Sequence, residues 1–571
     1  MKASKTILAT AVALFIFAVQ AQALTVHLMG DSTMADKDLS LGSPERGWGM
    51  MFPNFLDNEV NVINYAHNGR STKSFIDLGD WDKVKANVKK GDYVFIQFGH
   101  NDSKTDDPAR YAAAYGAYQD NLRMFVKTVR QLGATPVLLT PVSRRWFTDD
   151  GVFKENAHTD YPAAMKAVAK EMNVTLLDIT TPTENWIRSA GDEATRPYFM
   201  HVPKGKYASH PEGKVDNTHM NARGARKVTT IICEEIKKNI PELAKHLVFY
   251  HMVVSQDGKG DYMTIQEAIN AAPDYSHLEI TTIYIRKGTY YENVTIPHNK
   301  FRVHLIGEDA ENTIITFDKA AKKNWPDRGD LAIGTSGSSS MYVHAGYVTL
   351  ENLTIENPMR DKDGMGQAVA LFLGGGDHIV LKGCRLLGWQ DTLYTYGYYN
   401  KFGGPCRMYA IDCYIEGTTD FIFGPMTCLF ENCHIHCKAN SYITAASTLQ
   451  QWKYGYVFKN CKITAAEGVT QVYLGRPWRP YARTVFIECE LGSFIHPAGW
   501  KSWYRKDKPF GDGSDTAFYA EYNNRGEGAN TSQRVEWSHQ LTAEEAAEYT
   551  FEKIFYHEND EKHEWNPFDN K

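Results

Sequence analysis

The 571-residue sequence has little charge of either sign to spare: 62 basic against 68 acidic residues leave a formal net charge of −6. That balance provides neither a nucleic-acid footprint nor a basic face for a membrane surface. A polyanionic substrate stays open, because a cleft can differ in charge from the whole. Cysteine is almost missing from the first two-thirds of the chain, where only Cys233 precedes residue 380. That part therefore has no internal disulfide, and the odd total of nine leaves at least one thiol unpaired. Long apolar runs are missing after residue 23, so no membrane span is expected. There is no Pro- or Ser-rich linker either. What remains is 43% hydrophobic and 23% charged, the balance of a folded protein. It is too long for one ordinary core, so two large domains are expected.

The first 23 residues read as a processing segment. Lys2 and Lys5 give a positive start, Ile7 to Val19 is an apolar run short for a bilayer, and Ala21-Gln22-Ala23 fits a small-x-small cleavage site. Leu24, not Cys, follows, which argues against a lipid anchor. The mature protein is expected to begin near Leu24, periplasmic or secreted.

Two periods then divide the chain. Up to about Leu247, buried-strand runs (Thr25 to Met29, Tyr93 to Phe98, Thr135 to Val142) alternate with helical spacing over Arg110 to Leu132 and Tyr161 to Met172. Such alternation predicts a parallel sheet covered by helices, with functional residues beyond the carboxyl ends of the strands. After Phe249 a phrase recurs instead, as in Leu350-Glu-Asn-Leu-Thr-Ile and Phe430-Glu-Asn-Cys-His-Ile. Aligning Leu353, Cys384, Cys413, Cys433, Cys461 and Cys489 gives steps of 31, 29, 20, 28 and 28 residues. One strand-rich phrase per step suits the coils of a parallel β-helix. The aligned cysteines would form an interior ladder of small apolar side chains. Stacked strands at ~4.8 Å also allow a bridge between Cys413 and Cys433. The change of period places the domains at residues 24–248 and 249–571.

In the first domain, strand Thr25 to Met29 runs into Gly30-Asp31-Ser32-Thr33. Three further blocks follow: Asn64 to Ser71 around Gly69, Phe98-Gly-His-Asn101-Asp102, and Asp216-Asn-Thr-His219. Their chemistry is complementary. His219 can take the Ser32 proton, Asp216 can hold the other imidazole nitrogen, and the amides of Ser32, Gly69 and Asn101 can receive an oxyanion. The four blocks resemble the SGNH (GDSL-type) hydrolases across the whole domain, and the phrases Gly-Asp-Ser-Thr-Met-Ala and Asn-Gly-Arg-Ser-Thr-Lys-Ser-Phe look like the rhamnogalacturonan acetylesterase branch. The resemblance implies a three-layer flavodoxin-like α/β fold and removal of acetyl groups from pectin. A lipase-type or other carbohydrate esterase would use the same machinery, although no long apolar lid surrounds Ser32.

In the second domain, polar residues interrupt apolar strands: Gly366-Gln367, Trp389-Gln390-Asp391, Asp420-Phe-Ile-Phe-Gly424 and Gly475-Arg476-Pro-Trp478. Two aspartates one coil apart, with an arginine available, suggest an acid and a nucleophile in different protonation states. These phrases look like pectin methylesterase, with flanking matches from Val254 to Asn524. The resemblance implies a right-handed parallel β-helix in which Asp420 attacks the methyl ester and Asp391 acts as acid, then base. It further implies Gln367 and Gln390 at the oxyanion, Arg476 orienting Asp420, Trp478 offering a sugar-stacking face, and the Cys413–Cys433 bridge seen in bacterial members. The 29-residue step from Asp391 to Asp420 exceeds the family's usual interval. Gly397 to Cys406 is read as an inserted loop at the cleft rim. Adjacent strand residues face opposite ways, so Gln390 and Asp391 can share a site only at a bend.

Two rivals remain for this domain. A pectate lyase would need a calcium cluster of carboxylates, which these phrases do not supply. A non-catalytic polysaccharide-binding β-helix gives no reason for the Gln, Gln, Asp, Asp, Arg set. His434 and His436 fall on one strand face and are expected to be solvated rather than metal-bound. No cofactor or metal is expected; the expected partner is pectin, both homogalacturonan and rhamnogalacturonan, for a monomeric chain.

Overall fold

The computed structural model describes residues 24–155, 157–276, 278–400, 403–503, 513–556 and 565. The processing segment inferred for residues 1–23 lies outside them. The chain divides into two compact units, one ending at Val248 and one beginning at Phe249. Among the described residues no helix is long and apolar enough to cross a membrane.

In the first unit five parallel strands lie in the order Val60–Asn64, Leu24–Gly30, Tyr93–Gln97, Thr135–Leu139, Thr175–Leu177. This is the doubly wound order 2-1-3-4-5. Alternation along each strand feeds two separate cores. Val26, Leu28, Phe95, Val137 and Leu139 pack on one face with Trp48, Phe52 and the helix Ala222–Asn239. Met29, Val94, Ile96 and Leu138 pack on the other, against the helices Ala117–Gln131 and Tyr161–Met172. A period of two in the strands and 3.6 in the helices thus yields three layers. The helix read from Arg110 begins only at Ala117. Before it, Tyr161 Oη donates to the Ala112 carbonyl at 2.8 Å and the Ala112 amide is spent on the Asp102 carbonyl at 3.1 Å, so the stretch turns instead.

Among the described residues the second unit is a parallel β-helix of three sheets, with eleven, eight and seven strands. The recurring phrase has a backbone cause. The residue before each ladder position is left-handed: Asn352 (φ 53°), Gly383 (59°), Asp412 (54°), Asn432 (54°), Asn460 (51°) and Glu488 (56°). Each turns the chain from the eleven-stranded sheet into the eight-stranded one, and Asn, Asp and Gly tolerate that region best. The next residue then points inward. Leu353 and the five aligned cysteines are at most 2% exposed, and Phe430, Phe458 and Phe486 stack in a parallel column at 4.5 and 4.4 Å.

The bridge allowed between Cys413 and Cys433 is not present; all nine cysteines are free thiols. The inward thiols bond to carbonyls instead. Cys413 Sγ donates to Ile411 and Leu381, and Cys433 Sγ to Glu431 and Ala410, at 3.3–3.5 Å. His434 and His436 are half-buried and both meet the Thr464 hydroxyl, at 2.6 and 2.8 Å.

Candidate active sites

Ser32 follows the strand Leu24–Gly30, beside the point where the strand order reverses, and sits in a turn that exposes its hydroxyl at the carboxyl edge of the sheet. Asp31 Oδ1 accepts from the Thr33 amide (2.9 Å) and hydroxyl (2.8 Å), which shapes that turn. His219 Nε2 is 2.8 Å from Ser32 Oγ, and His219 Nδ1 is 2.7 Å from Asp216 Oδ2. Asp216 and His219 do not sit in a loop. They lie within the strand Lys214–Asn221 of a small antiparallel sheet, three residues apart. Asp216 Oδ1 also accepts from the Thr218 and His219 amides, at 2.8 and 3.0 Å. Burial alone would raise this carboxyl. The hydrogen bonds from the His219 ring and amide outweigh burial and hold it well below its usual range.

Gly69 has φ 76°, and Asn101 Nδ2 donates to the neighbouring Arg70 carbonyl at 2.9 Å, so the two blocks meet. Asp102 had no role in the sequence reading beyond its block. Here it accepts from the Thr72 amide (2.9 Å) and hydroxyl (2.6 Å), tying the Asn101 turn to the helix Thr72–Asp77. It is fully buried, and desolvation pushes its carboxyl up to about 7.

In the second unit the site residues gather along the seven-stranded sheet. Leu393 pairs with Ile422, so Asp391 and Asp420, two residues before each, fall side by side on successive coils. The required bend is present: Asp391 has φ 70° and Asp420 has φ 50°. The Asp391 amide donates to the Thr419 carbonyl at 3.1 Å. The Ala368 amide donates to the Gln390 carbonyl at 3.2 Å, which sets Gln367 and Gln390 on neighbouring coils with half-buried side chains. Arg476 leaves the strand Tyr473–Gly475 and grips Asp420 twice, Nε to Oδ1 at 3.0 Å and Nη2 to Oδ2 at 2.6 Å.

The two carboxyls are not equivalent. Burial pushes both up; at Asp391 the Asp420 charge pushes further, while at Asp420 the Arg476 hydrogen bonds and charge pull back. Of the two, Asp391 is the carboxyl pushed up without a cation hydrogen-bonded to it.

Trp478 packs edge-on against Phe423 and Tyr394 at 5.8 and 6.3 Å, with Arg479 over its face at 4.5 Å. It ends an aromatic row that the sequence reading missed. Tyr342, Phe372, Tyr394 and Phe423 are paired in register across four coils. The row continues toward the next turn: Tyr398 meets Tyr396, which meets Tyr394. The signal was available as one aromatic per coil at matching strand positions.

Residues 251–559 match the family model described as Pectinesterase, and residues 28–227 match that of the GDSL-like Lipase/Acylhydrolase family. The chain is 37% identical over 310 residues to Pectinesterase 31 of Arabidopsis thaliana, covering 54% of this chain and 92% of that protein. It is 34% identical over 313 residues to Probable pectinesterase/pectinesterase inhibitor 12 of the same plant, covering 52% of this chain and 53%, about half, of that one. Among solved structures, pectin methylesterase from carrot is 32% identical, covering 54% of this chain and 93% of that one at a TM-score of 0.48.

Proposed function

Because the chain belongs to the pectinesterase family, we propose that its second unit hydrolyses galacturonate methyl esters in pectin and that its first removes acetyl groups from rhamnogalacturonan. For the second unit the carrying observation is Asp420 gripped by Arg476 beside Asp391, whose carboxyl is pushed up by burial and by the Asp420 charge. Asp420 attacks the ester carbonyl, and the side-chain amides of Gln367 and Gln390 receive the oxyanion. Asp391 gives its proton to the departing methoxide, which leaves as methanol, and an acyl anhydride joins galacturonate to Asp420. Asp391, now ionised, takes a proton from water. The hydroxide cleaves the anhydride and returns Asp420 as carboxylate.

For the first unit the carrying observation is the unbroken chain Ser32–His219–Asp216. His219 takes the hydroxyl proton as Ser32 attacks the acetyl carbonyl, then passes it to the sugar oxygen that leaves. Water, deprotonated by His219, clears the acetyl-serine. The amides of Ser32, Gly69 and Asn101 serve the oxyanion. The phrases around Ser32 and Gly69 support pectin acetyl groups over lipid esters. Export, with cleavage near Ala23, and a monomeric state complete the reading.

The test measures methanol and acetate released from acetylated, methylated pectin. Ser32→Ala should abolish acetate and spare methanol, and Asp420→Ala should do the reverse. Loss of both products from either single change would refute the two-site assignment.

A further inference from the structure

Arg476 lies between two aromatic rings. Its guanidinium carbon is 3.9 Å from the Tyr442 ring centre and 4.0 Å from that of Trp503. Both distances fall well inside the ~6 Å range of cation–π attraction. With both faces covered, the guanidinium presents only its edges, and the edge carrying Nε and Nη2 is the one that meets Asp420.

Tyr442 is tied to the same carboxylate by its backbone, since the Asp420 amide donates to the Tyr442 carbonyl at 2.9 Å. The Arg476 amide donates to the Thr444 carbonyl at 3.0 Å, two residues along the same strand. The Tyr442 ring is backed in turn by Tyr473, stacked at 5.5 Å. Ring, arginine and carboxylate are thus locked through main chain and side chain together.

The arrangement answers a physical problem. An arginine side chain has many rotamers to choose among, and this one is 23% exposed. A polyanionic substrate would offer it carboxylates that compete with Asp420. Rings on both faces remove that freedom without adding a competing charge.

We propose that Tyr442 and Trp503 are positioning residues for ester hydrolysis, clamping Arg476 so that its Nε–Nη2 edge stays on Asp420 when the polyanionic substrate arrives. The inference rests on Asp420 being the nucleophile. Besides Arg476, the titratable groups acting on or with Asp420 are Asp391 of the preceding coil and the Tyr519 hydroxyl of the eleven-stranded sheet.

The test uses the full chain and methanol release from methyl-esterified polygalacturonate, with kcat and KM followed across pH. Tyr442→Leu with Trp503→Leu should lower kcat about tenfold, the loss of two partly exposed cation–π contacts, with KM little changed. The acid limb of the kcat profile should move to higher pH, because Asp420 loses part of its cationic support. Tyr442→Phe and Trp503→Phe keep a ring face and should behave as the parent. Unchanged kcat and acid limb in the double Leu variant overturn the clamp. So does a raised KM at unchanged kcat, which would make the rings sugar platforms. If the double variant does not fold, Trp503→Leu alone is read by the same two parameters. Asp420→Asn is the control: methanol release that survives it refutes the nucleophile itself, not the clamp.

Discussion

Asp391 and Asp420 are the same residue type one coil apart, and their difference comes from what faces them. Asp420 meets two N–H groups of Arg476, while Asp391 meets the charge of Asp420. The pair should therefore give a bell-shaped pH dependence of methanol release, its two limbs belonging to the pair jointly. Asp391→Asn keeps the shape but has no proton to donate, and kcat should fall by roughly 10²–10⁴-fold. Stopped methanol assays read this directly, and a loss below tenfold would remove Asp391 from the acid role. Asp102 allows a second prediction. Its folded value of about 7 lies above the ordinary aspartate value of about 3.9, so the native state holds the proton longer than the unfolded chain does. Its contribution to stability is full below the unfolded value and is lost as pH rises through about 7, a change on the order of 4 kcal/mol. Asp102→Asn, which still accepts from Thr72, should flatten the decline in melting temperature of the first unit between about pH 4 and about pH 7. An unaltered pH slope would count against it.

At the scale of elements, a left-handed residue recurs at the same corner of six coils of the β-helix. Asn432 (φ 54°) occupies such a position. Valine there must hold a β-branched side chain at positive φ, and Asn432→Val should destabilise the second unit by about 1–3 kcal/mol, with Asn432→Gly costing much less. Urea titration of the two variants compares them. Gly475 carries a different constraint: a Cβ there would come within 2.0 Å of Thr444 Oγ1. Since Arg476 follows directly, Gly475→Ala should displace the Asp420 grip and depress methanol release while leaving acetate release intact. These turns were partly legible beforehand. The repeat of Asn-Cys and Asp-Cys phrases marked the coils, but not which of the two residues made the turn. The helix expected from Arg110 failed for a related reason, because periodicity is blind to a carbonyl elsewhere that claims the amide of Ala112.

For the whole molecule, the division near Val248 implies two units that fold on their own contacts. A chain cut between Val248 and Phe249 should give two soluble pieces, each releasing its own product, and circular dichroism with product assays checks this. Buried free thiols also mean that reductant should leave the melting temperature unchanged. Both proposed activities act on one polymer. The intact chain should therefore outpace an equimolar mixture of its halves on acetylated, methylated pectin, and equal rates would show that fusion confers no cooperation.

Residue spacing alone set the period of each half and the chemistry of the blocks. Apolar spacing of two and 3.6 commits the first half to layered strands and helices, and the phrase repeat commits the second to stacked coils. The groups named in advance at Ser32, Asp216, His219, Asp391, Asp420 and Arg476 are polar in apolar settings, which local reading detects. Only the tertiary structure decided which neighbours tune them. The antiparallel strand carrying His219, the thiols spent on carbonyls rather than on a bridge, and the rings on either face of Arg476 all depend on segments tens to hundreds of residues apart. No local pattern encodes the distance between such segments, because packing, not spacing along the chain, sets it.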